Sequence, residues 1–376
     1  MKKIILGIFA AGIFSSAFAL SWGGLIDNNS RFSANDDFSV IGLNQSNGIY
    51  FSLNSPVNKS GNVKFSAEAL YKYSLNGDFD SGDFELKNIA DCDLLKISGN
   101  WAVGKGSFAL NVGRFMYSDF SATVFNQTSD GLYLSYNSHK IGASLYAGYT
   151  GLLNRLNVAM IDNEYEEDEQ FYRLCPGYIP LIADFSYKTL FGTSTIGLQA
   201  EFFVPTSDKN EIKAYGTLSY TGLFGTKGNY NAKFIVGTEK FDGIMLDGKL
   251  DLNFFVIKNM VLTAGGEYAS GAQGDIKPFV TISARSFGGA PFYNGVIVPK
   301  AAIVYAANKL YAGITERVII AMPAEEAKLD GFDTSVNILY NLFSDLQIGC
   351  DIGAYICTEE KTLNNYSATI KASLAF

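Results

Sequence analysis

The single histidine of this chain is the first test of whether the protein carries out chemistry. His139 lies between Ser138 and Lys140, in a short polar segment typical of a tight turn. A Ser-His-Asp triad or a histidine-based zinc site needs a histidine beside other catalytic or ligating groups. No pair of carboxylates stands out as a general acid and base either. The sequence therefore predicts no enzyme activity, no cofactor and no metal.

The four cysteines could form a disulfide or hold a metal. Cys350 and Cys357 lie on one extended segment, about 23 Å apart at ~3.3 Å per residue, so they cannot bond to each other. Cys92 and Cys175 both fall at predicted connections, and a disulfide between them could form in an oxidising compartment. No C-x-x-C spacing occurs, which argues against zinc.

Ten charged residues lie in segments that alternate between apolar and polar side chains. In 196–204, Leu198 and Phe202 fall on one face of an extended chain, whereas Gln199 and Glu201 fall on the other. A surface with charges of both signs can select among ions and polar solutes, and a solvated face without selectivity is an equal alternative. The ten candidates are Glu201, Lys213, Lys233, Glu239, Asp247, Lys249, Asp251, Asp333, Asp351 and Lys371.

The length of the alternating segments separates two kinds of β-protein. Alternation continues through 196–204 and 246–256 without helical spacing. Strands of a soluble β-sandwich are typically about 5 to 6 residues long, whereas a tilted membrane strand needs about 9 to 11. These segments therefore favour membrane strands over a sandwich.

The first nineteen residues predict export. Lys2 and Lys3 precede an apolar run at 4–14, and small residues lead to Ala-Phe-Ala at 17–19. This is the pattern of a secretory signal peptide cleaved after Ala19, and it is too short to cross about 30 Å of hydrocarbon. We expect residues 20–376 to form a single mature domain.

Any membrane crossing by that domain must use strands. After the signal peptide there is no apolar stretch near the roughly 20 residues that a spanning helix needs. In hydrocarbon every backbone donor and acceptor must pair internally, so strands cross only as a closed barrel. The sequence predicts an all-β fold, a transmembrane antiparallel up-and-down β-barrel.

The last strand resembles a known family signal. Tyr366, Ile370, Leu374 and Phe376 fall on one face with Ala368 and Ala372, and Phe376 is the final residue given. This pattern is similar to the C-terminal strand of bacterial outer-membrane β-barrel proteins of the porin-like kind. The resemblance implies a bacterial outer membrane as location and the barrel assembly machinery and outer-membrane lipid as partners.

Connections give the strand number, since such barrels alternate short turns with longer loops. Eight tight links alternate with nine longer loops, which predicts eighteen strands, with fourteen or sixteen if N-terminal strands are miscounted. Strand-like residues 276–285 break this alternation, so we assign them to a long loop, 271–294, that lies outside or folds into the pore. The tight links are 58–61, 104–106, 138–140, 191–194, 224–228, 257–259, 307–309 and 343–345, and the other long loops include 28–46, 76–90, 118–129 and 151–178.

A barrel of about eighteen strands leaves an aqueous channel. The leading hypothesis is therefore a porin-like channel for passive diffusion of small polar solutes or ions, with a mild cation preference. A transporter plugged by 20–46 or 271–294 and a surface adhesin anchored by a filled barrel are the alternatives. A monomer and a homo-oligomer both fit. Removing the two signal lysines takes the formal net charge from -8 to -10, which argues against nucleic acid as a partner.

A run of acidic residues lies in the loop 151–178. Such a run is most often a solvated loop. It could instead attract cations to a pore mouth, or hold a divalent ion, although its spacing differs from that of a known calcium loop. The run consists of Glu164, Glu166, Glu167, Asp168 and Glu169.

Overall fold

Antiparallel pairing between neighbouring strands runs around the whole sheet and closes it. The computed structural model describes residues 20–36, 41–152, 177–208, 210–285, 294–322 and 327–376. Within them, each strand pairs with its neighbours in sequence, and the first strand also pairs with the last. The result is a closed eighteen-stranded antiparallel barrel, which confirms the predicted fold and strand number.

The strands differ in length from 9 to 20 residues. Their bounds are β1 Ser21–Ala34, β2 Ile41–Pro56, β3 Val63–Asp78, β4 Phe84–Val103, β5 Gly106–Ser118, β6 Asn126–Ser138, β7 Ile141–Tyr149, β8 Tyr178–Leu190, β9 Ser194–Pro205, β10 Lys213–Leu223, β11 Gly228–Glu239, β12 Asp242–Ile257, β13 Met260–Ala269, β14 Val296–Ala307, β15 Leu310–Ala321, β16 Lys328–Asn341, β17 Leu346–Cys357 and β18 Asn365–Ala375. A single 3-10 turn, Lys361–Leu363, is the one helical element among the described residues, and no helix there is long and apolar enough to span a membrane.

Pairing between β1 and β18 closes the barrel. Leu25 lies opposite Ala375, and the register continues to Ala34 opposite Tyr366. Beyond the last pair, the Gly24 N–H donates to the Phe376 carbonyl at 2.8 Å, and the Phe376 N–H donates back at 3.0 Å. Closure leaves no free sheet edge at this seam, which is what a strand structure needs in an apolar solvent.

The two faces of each strand have opposite character. In β9, Leu198 and Phe202 point outward and are about half exposed, while Gln199, Glu201 and Phe203 point inward and are buried. The outward positions of other strands repeat this excess of exposed apolar side chains. A surface of this kind is stable against lipid and unfavourable in water.

Aromatic pairs mark one rim of the apolar surface. Trp22 stacks on Phe51 with ring centroids 6.2 Å apart, and Trp101 lies against Phe108 at 6.0 Å, all near the end of the barrel that carries the short turns. Aromatic girdles of this kind sit at membrane–water interfaces, where the rings contact lipid and the Trp N–H can bond to water or headgroups.

All eight predicted tight links connect strands at one end of the barrel, and the remaining links between consecutive strands begin and end at the other. His139 lies in one of the short turns, as predicted. Several loop assignments were too long, and two of them are strand over most of their length. Segments 28–46 and 76–90 are mostly strand, because β1 to β4 extend past the alternating region with polar side chains on both faces, such as Asn28 hydrogen-bonded to Asn47 at 2.6 Å.

Candidate pore and its constriction

All ten charged candidates occupy inward-facing positions of the wall. Their surroundings differ, because four are buried at 2% exposure or less beneath neighbouring groups, and the others are partly exposed inside the barrel. The buried four are Glu201, Lys213, Asp247 and Asp333. Their part in solute passage stays a prediction.

Ion pairs between neighbouring strands hold most of these charges. Lys213 Nζ lies 3.1 Å from Glu239 Oε1 and donates to the Tyr178 hydroxyl at 2.9 Å. Asp351 pairs with Lys371 on the next strand. Pairing offsets part of the cost of removing these charges from water, and an unpaired buried charge would cost more.

Sequence reasoning did not identify two cations, on β14 and β15, that pair with the charged candidates. Lys300 Nζ lies 2.6 Å from Asp251 Oδ1, and Arg317 Nη1 lies 2.6 Å from Asp333 Oδ2. Their signal was available, since alternation in β14 and β15 places both cations on the inward face. Arg114 was also missed, because it lies on the outward face at a backbone irregularity and pairs with Asp130 at 2.9 Å.

The first inward loop, residues 119–125, turns from the end of β5 into the lumen. The Asp119 carboxylate folds it by accepting hydrogen bonds from the Ser121 hydroxyl and the Phe125 N–H, each at 2.6 Å. The Phe120 N–H donates to Gln199 Oε1 on the wall at 2.9 Å. These bonds fix the loop against the inner face of β9.

The second inward loop, residues 270–285, reaches the first from the opposite side. The Ile282 and Ser283 N–H groups donate to the Val124 carbonyl at 2.9 and 3.2 Å. The Ser283 hydroxyl donates to Gln127 Oε1 at 2.8 Å and accepts from the Asn126 N–H at 2.9 Å. The segment 276–285 is therefore not a barrel strand, as predicted, and of the two predicted placements it takes the one inside the pore.

Aromatic rings fill the space between the two loops and the wall. Tyr117 stacks on Tyr146 at 4.1 Å, Phe125 packs on Phe203 at 5.6 Å, and Tyr215 meets Phe279 at 6.1 Å. We call the inner faces of β6 to β13 with both loops the packed half of the lumen. A buried aromatic core of this kind narrows the barrel from one side and holds the loops in place.

The opposite side of the lumen is polar and keeps free volume. Recesses of about 320 and 650 Å³ meet at Arg31, beside Asp351 and Lys371. The walls are mostly amide and hydroxyl side chains, for example Asn44 donating to Asn76 Oδ1 at 2.6 Å. We call the inner faces of β16 to β18 and β1 to β3 the open half of the lumen.

Exposed ion pairs lie at the long-loop rim. Lys240 Nζ lies 2.7 Å from Glu211 Oε1, and Lys277 Nζ lies 3.3 Å from Asp242 Oδ2. The hydrogen bond that the Lys240 ammonium group donates to the Glu211 carboxylate raises the pKa of Lys240. Lys240 therefore keeps its positive charge throughout the physiological range.

Several predicted features fall outside the described residues. The signal peptide at 1–19, the whole acidic run from Glu164 to Glu169, and Cys175 are among them. Cys92, Cys350 and Cys357 are free thiols. Within the described ranges, no group of three or more histidine, cysteine or carboxylate side chains is arranged to hold a metal ion.

Fold and lumen together define a large closed β-barrel narrowed by inward loops. No family model and no curated protein matches the sequence. Solved structures share the fold. OpdQ from Pseudomonas aeruginosa aligns with a TM-score of 0.61 at 13% identity over 95% of this chain and 98% of its own. The outer membrane protein opdK from the same species gives 0.63 at 11% over 95% and 98%. OccK7 (OpdD), also from P. aeruginosa, gives 0.64 at 10% over 95% and 99%.

Proposed function

We propose that this chain is a porin-like channel of a bacterial outer membrane that lets small polar solutes and ions diffuse across it. One observation carries the proposal: a closed eighteen-stranded barrel has a lipid-compatible outer face and a polar inner face with free volume in its open half. Barrels of sixteen to eighteen strands are wide enough for an aqueous passage. Outer-membrane lipid and the barrel assembly machinery are the partners that this proposal requires.

The narrowing by two loops supports a selective passage rather than a wide open pore. Solutes must pass between the packed half and the charged side chains of the open half, so both shape and charge act on them. OpdK has been solved with vanillate. This supports a lumen of the shared fold that admits a solute the size of a substituted benzene ring.

Two alternatives are less well supported. A plug formed by residues 20–46 is wrong, because the described residues there form β1 and part of β2. Residues 270–285 do enter the lumen, yet they pack on one side and leave the recesses of the open half. An adhesin anchored by a filled barrel is the weaker proposal too, since eight to ten strands would suit that role and the structure has eighteen.

The test is electrical. We expect the refolded mature chain, added to a planar lipid bilayer, to give discrete conductance steps and a reversal potential showing a mild preference for potassium over chloride. The preference follows from the net negative charge of the chain. A correctly folded barrel that stays silent in repeated insertions would contradict the proposal.

A further inference from the structure

A recess of about 300 Å³ lies on the inner wall, on the short-turn side of the first inward loop. Phe120 forms its upper side, held by its N–H bond to Gln199. The Phe120 ring lies so close to Gly197 that a Cβ there would approach the ring to 2.8 Å. The recess is therefore a defined part of the fold, because Gly197, which has no side chain, leaves room for the Phe120 ring that bounds it.

Hydrogen-bonding groups with spare capacity line this recess. Among the described residues, the Asn111 amide, the Lys96 ammonium group and the Tyr133 hydroxyl have no hydrogen bond or ion pair, and all three side chains are partly exposed. The Asp184 carboxylate accepts the Ser144 hydroxyl and retains further acceptor sites. Donors and acceptors thus surround one small volume.

Aromatic rings supply the other surfaces. Phe120 and Tyr133 are half-buried and present part of each ring to the recess. Tyr117 and Phe115 lie behind them, and Tyr117 is locked by its stack on Tyr146 at 4.1 Å. Rigid rings bind a flat apolar surface without losing conformational entropy of their own.

The two charged groups in the recess have opposite signs. Lys96 would repel a cation, and Asp184 would repel an anion. A neutral ring that carries several hydroxyls avoids both penalties, because each hydroxyl donates and accepts, and the C–H face of the ring packs on the aromatic side chains. The volume lies at the lower end of the roughly 300–1,000 Å³ typical of small-molecule sites.

We propose that this recess, which we call the polyol site, binds a neutral polyol the size of a monosaccharide as it passes the constriction. The inference rests on the channel proposed above, since the solute reaches the recess through the lumen. Affinity is weak, because a site that holds a permeant solute must also release it.

Binding can be measured without any current. In saturation-transfer NMR on the detergent-folded mature chain, we expect D-glucose to bind with a millimolar dissociation constant. Asn111→Leu keeps the side-chain size and removes the amide, so the constant should rise about tenfold, and Tyr133→Phe should raise it about threefold. The matched control is Asn231→Leu, an inward-facing residue of β11 outside the recess, which should bind glucose like the parent chain. Heat-modifiable gel mobility checks that each barrel is folded.

Benzoate tests the charge argument. We expect benzoate to bind the parent chain more weakly than glucose, and Asp184→Asn to reverse that order, because Lys96 then acts on the carboxylate without an opposing charge. Absence of glucose binding to the folded parent, equal binding by Asn111→Leu, or tighter benzoate than glucose in the parent would overturn the polyol site. None of these results bears on the conductance test. Conversely, a folded barrel that binds glucose but gives no conductance steps would contradict the proposed channel and not the polyol site.

Discussion

The packed and open halves of the lumen are built from the same kind of strand, yet they solve different problems. In the packed half, buried rings such as Phe203 and Tyr215 hold the loops, and charged residues such as Lys213 lie among them in ion pairs. In the open half, inward residues such as Asp351 and Lys371 hold one another by charge. The comparison teaches that an aqueous barrel can carry a conventional hydrophobic core on one wall without closing.

The largest expected effect comes from removing a ring of the packed half. Phe203 is fully buried and packs on Phe125 and Tyr215. Phe203→Ala should lower the free energy of unfolding by about 3–5 kcal/mol, measured by urea unfolding in phospholipid vesicles. Phe343→Ala, in an exposed short turn, is the matched control and should stay within about 0.5 kcal/mol. Equal losses would mean that the packed half contributes nothing special.

A smaller effect is expected when one loop loses its bond to the wall. Gln199→Leu leaves the Phe120 N–H without its acceptor, which costs about 1–3 kcal/mol when the amide is buried. We expect single channels to show added current noise as loop 119–125 moves. Gln347→Leu, whose amide bonds Asn341 at an exposed site, should remain quiet.

Substitutions that remove a carboxylate from each half should change ion selectivity differently and stability little. Asp351→Asn removes a carboxylate from the open half and frees Lys371, so the potassium-to-chloride permeability ratio should fall roughly two- to threefold. Reversal potentials across a salt gradient measure it. Glu201→Gln changes a carboxylate buried beneath the first loop, and we expect its ratio to match that of the parent. A large shift there would place permeating ions in the packed half.

The smallest effect belongs to the rim. Lys328 pairs with Glu359, and both side chains are about half exposed. Lys328→Ala should change the free energy of unfolding by less than about 1 kcal/mol, since water and salt screen such pairs. A larger loss in the same urea experiment would show that the rim, and not only the packed half, stabilises the barrel.

The wall was predictable because its signal is local. A period of two, set by lipid outside and water inside, fixed the inward face of residues such as Asp247 and Lys249, and turn chemistry fixed the strand number. The ends of β1 to β4 nearest the long loops were not predicted as strand. Beyond the apolar band both faces meet water, so residues such as Asn28 and Asn44 do not alternate with apolar ones.

The constriction was not predictable in the same way. Its shape depends on contacts between residues far apart in sequence, such as Ser283 with Gln127 and Phe120 with Gln199. Contacts of this kind leave no periodic pattern in the sequence. Only the exclusion of 276–285 from the strand count hinted that this segment lies in the lumen, and the contribution of loop 119–125 had no signal at all.

Closure at the β1–β18 seam has a consequence for biosynthesis. Gly24 is synthesised some 350 residues before its hydrogen-bonding partner Phe376, so β1 cannot pair on its β18 side until the whole chain exists. Exposed edges of this sort template aggregation. The barrel can therefore close only after β18 has been made, and deleting the paired residues 366–375 should leave an open sheet rather than a slightly smaller cylinder.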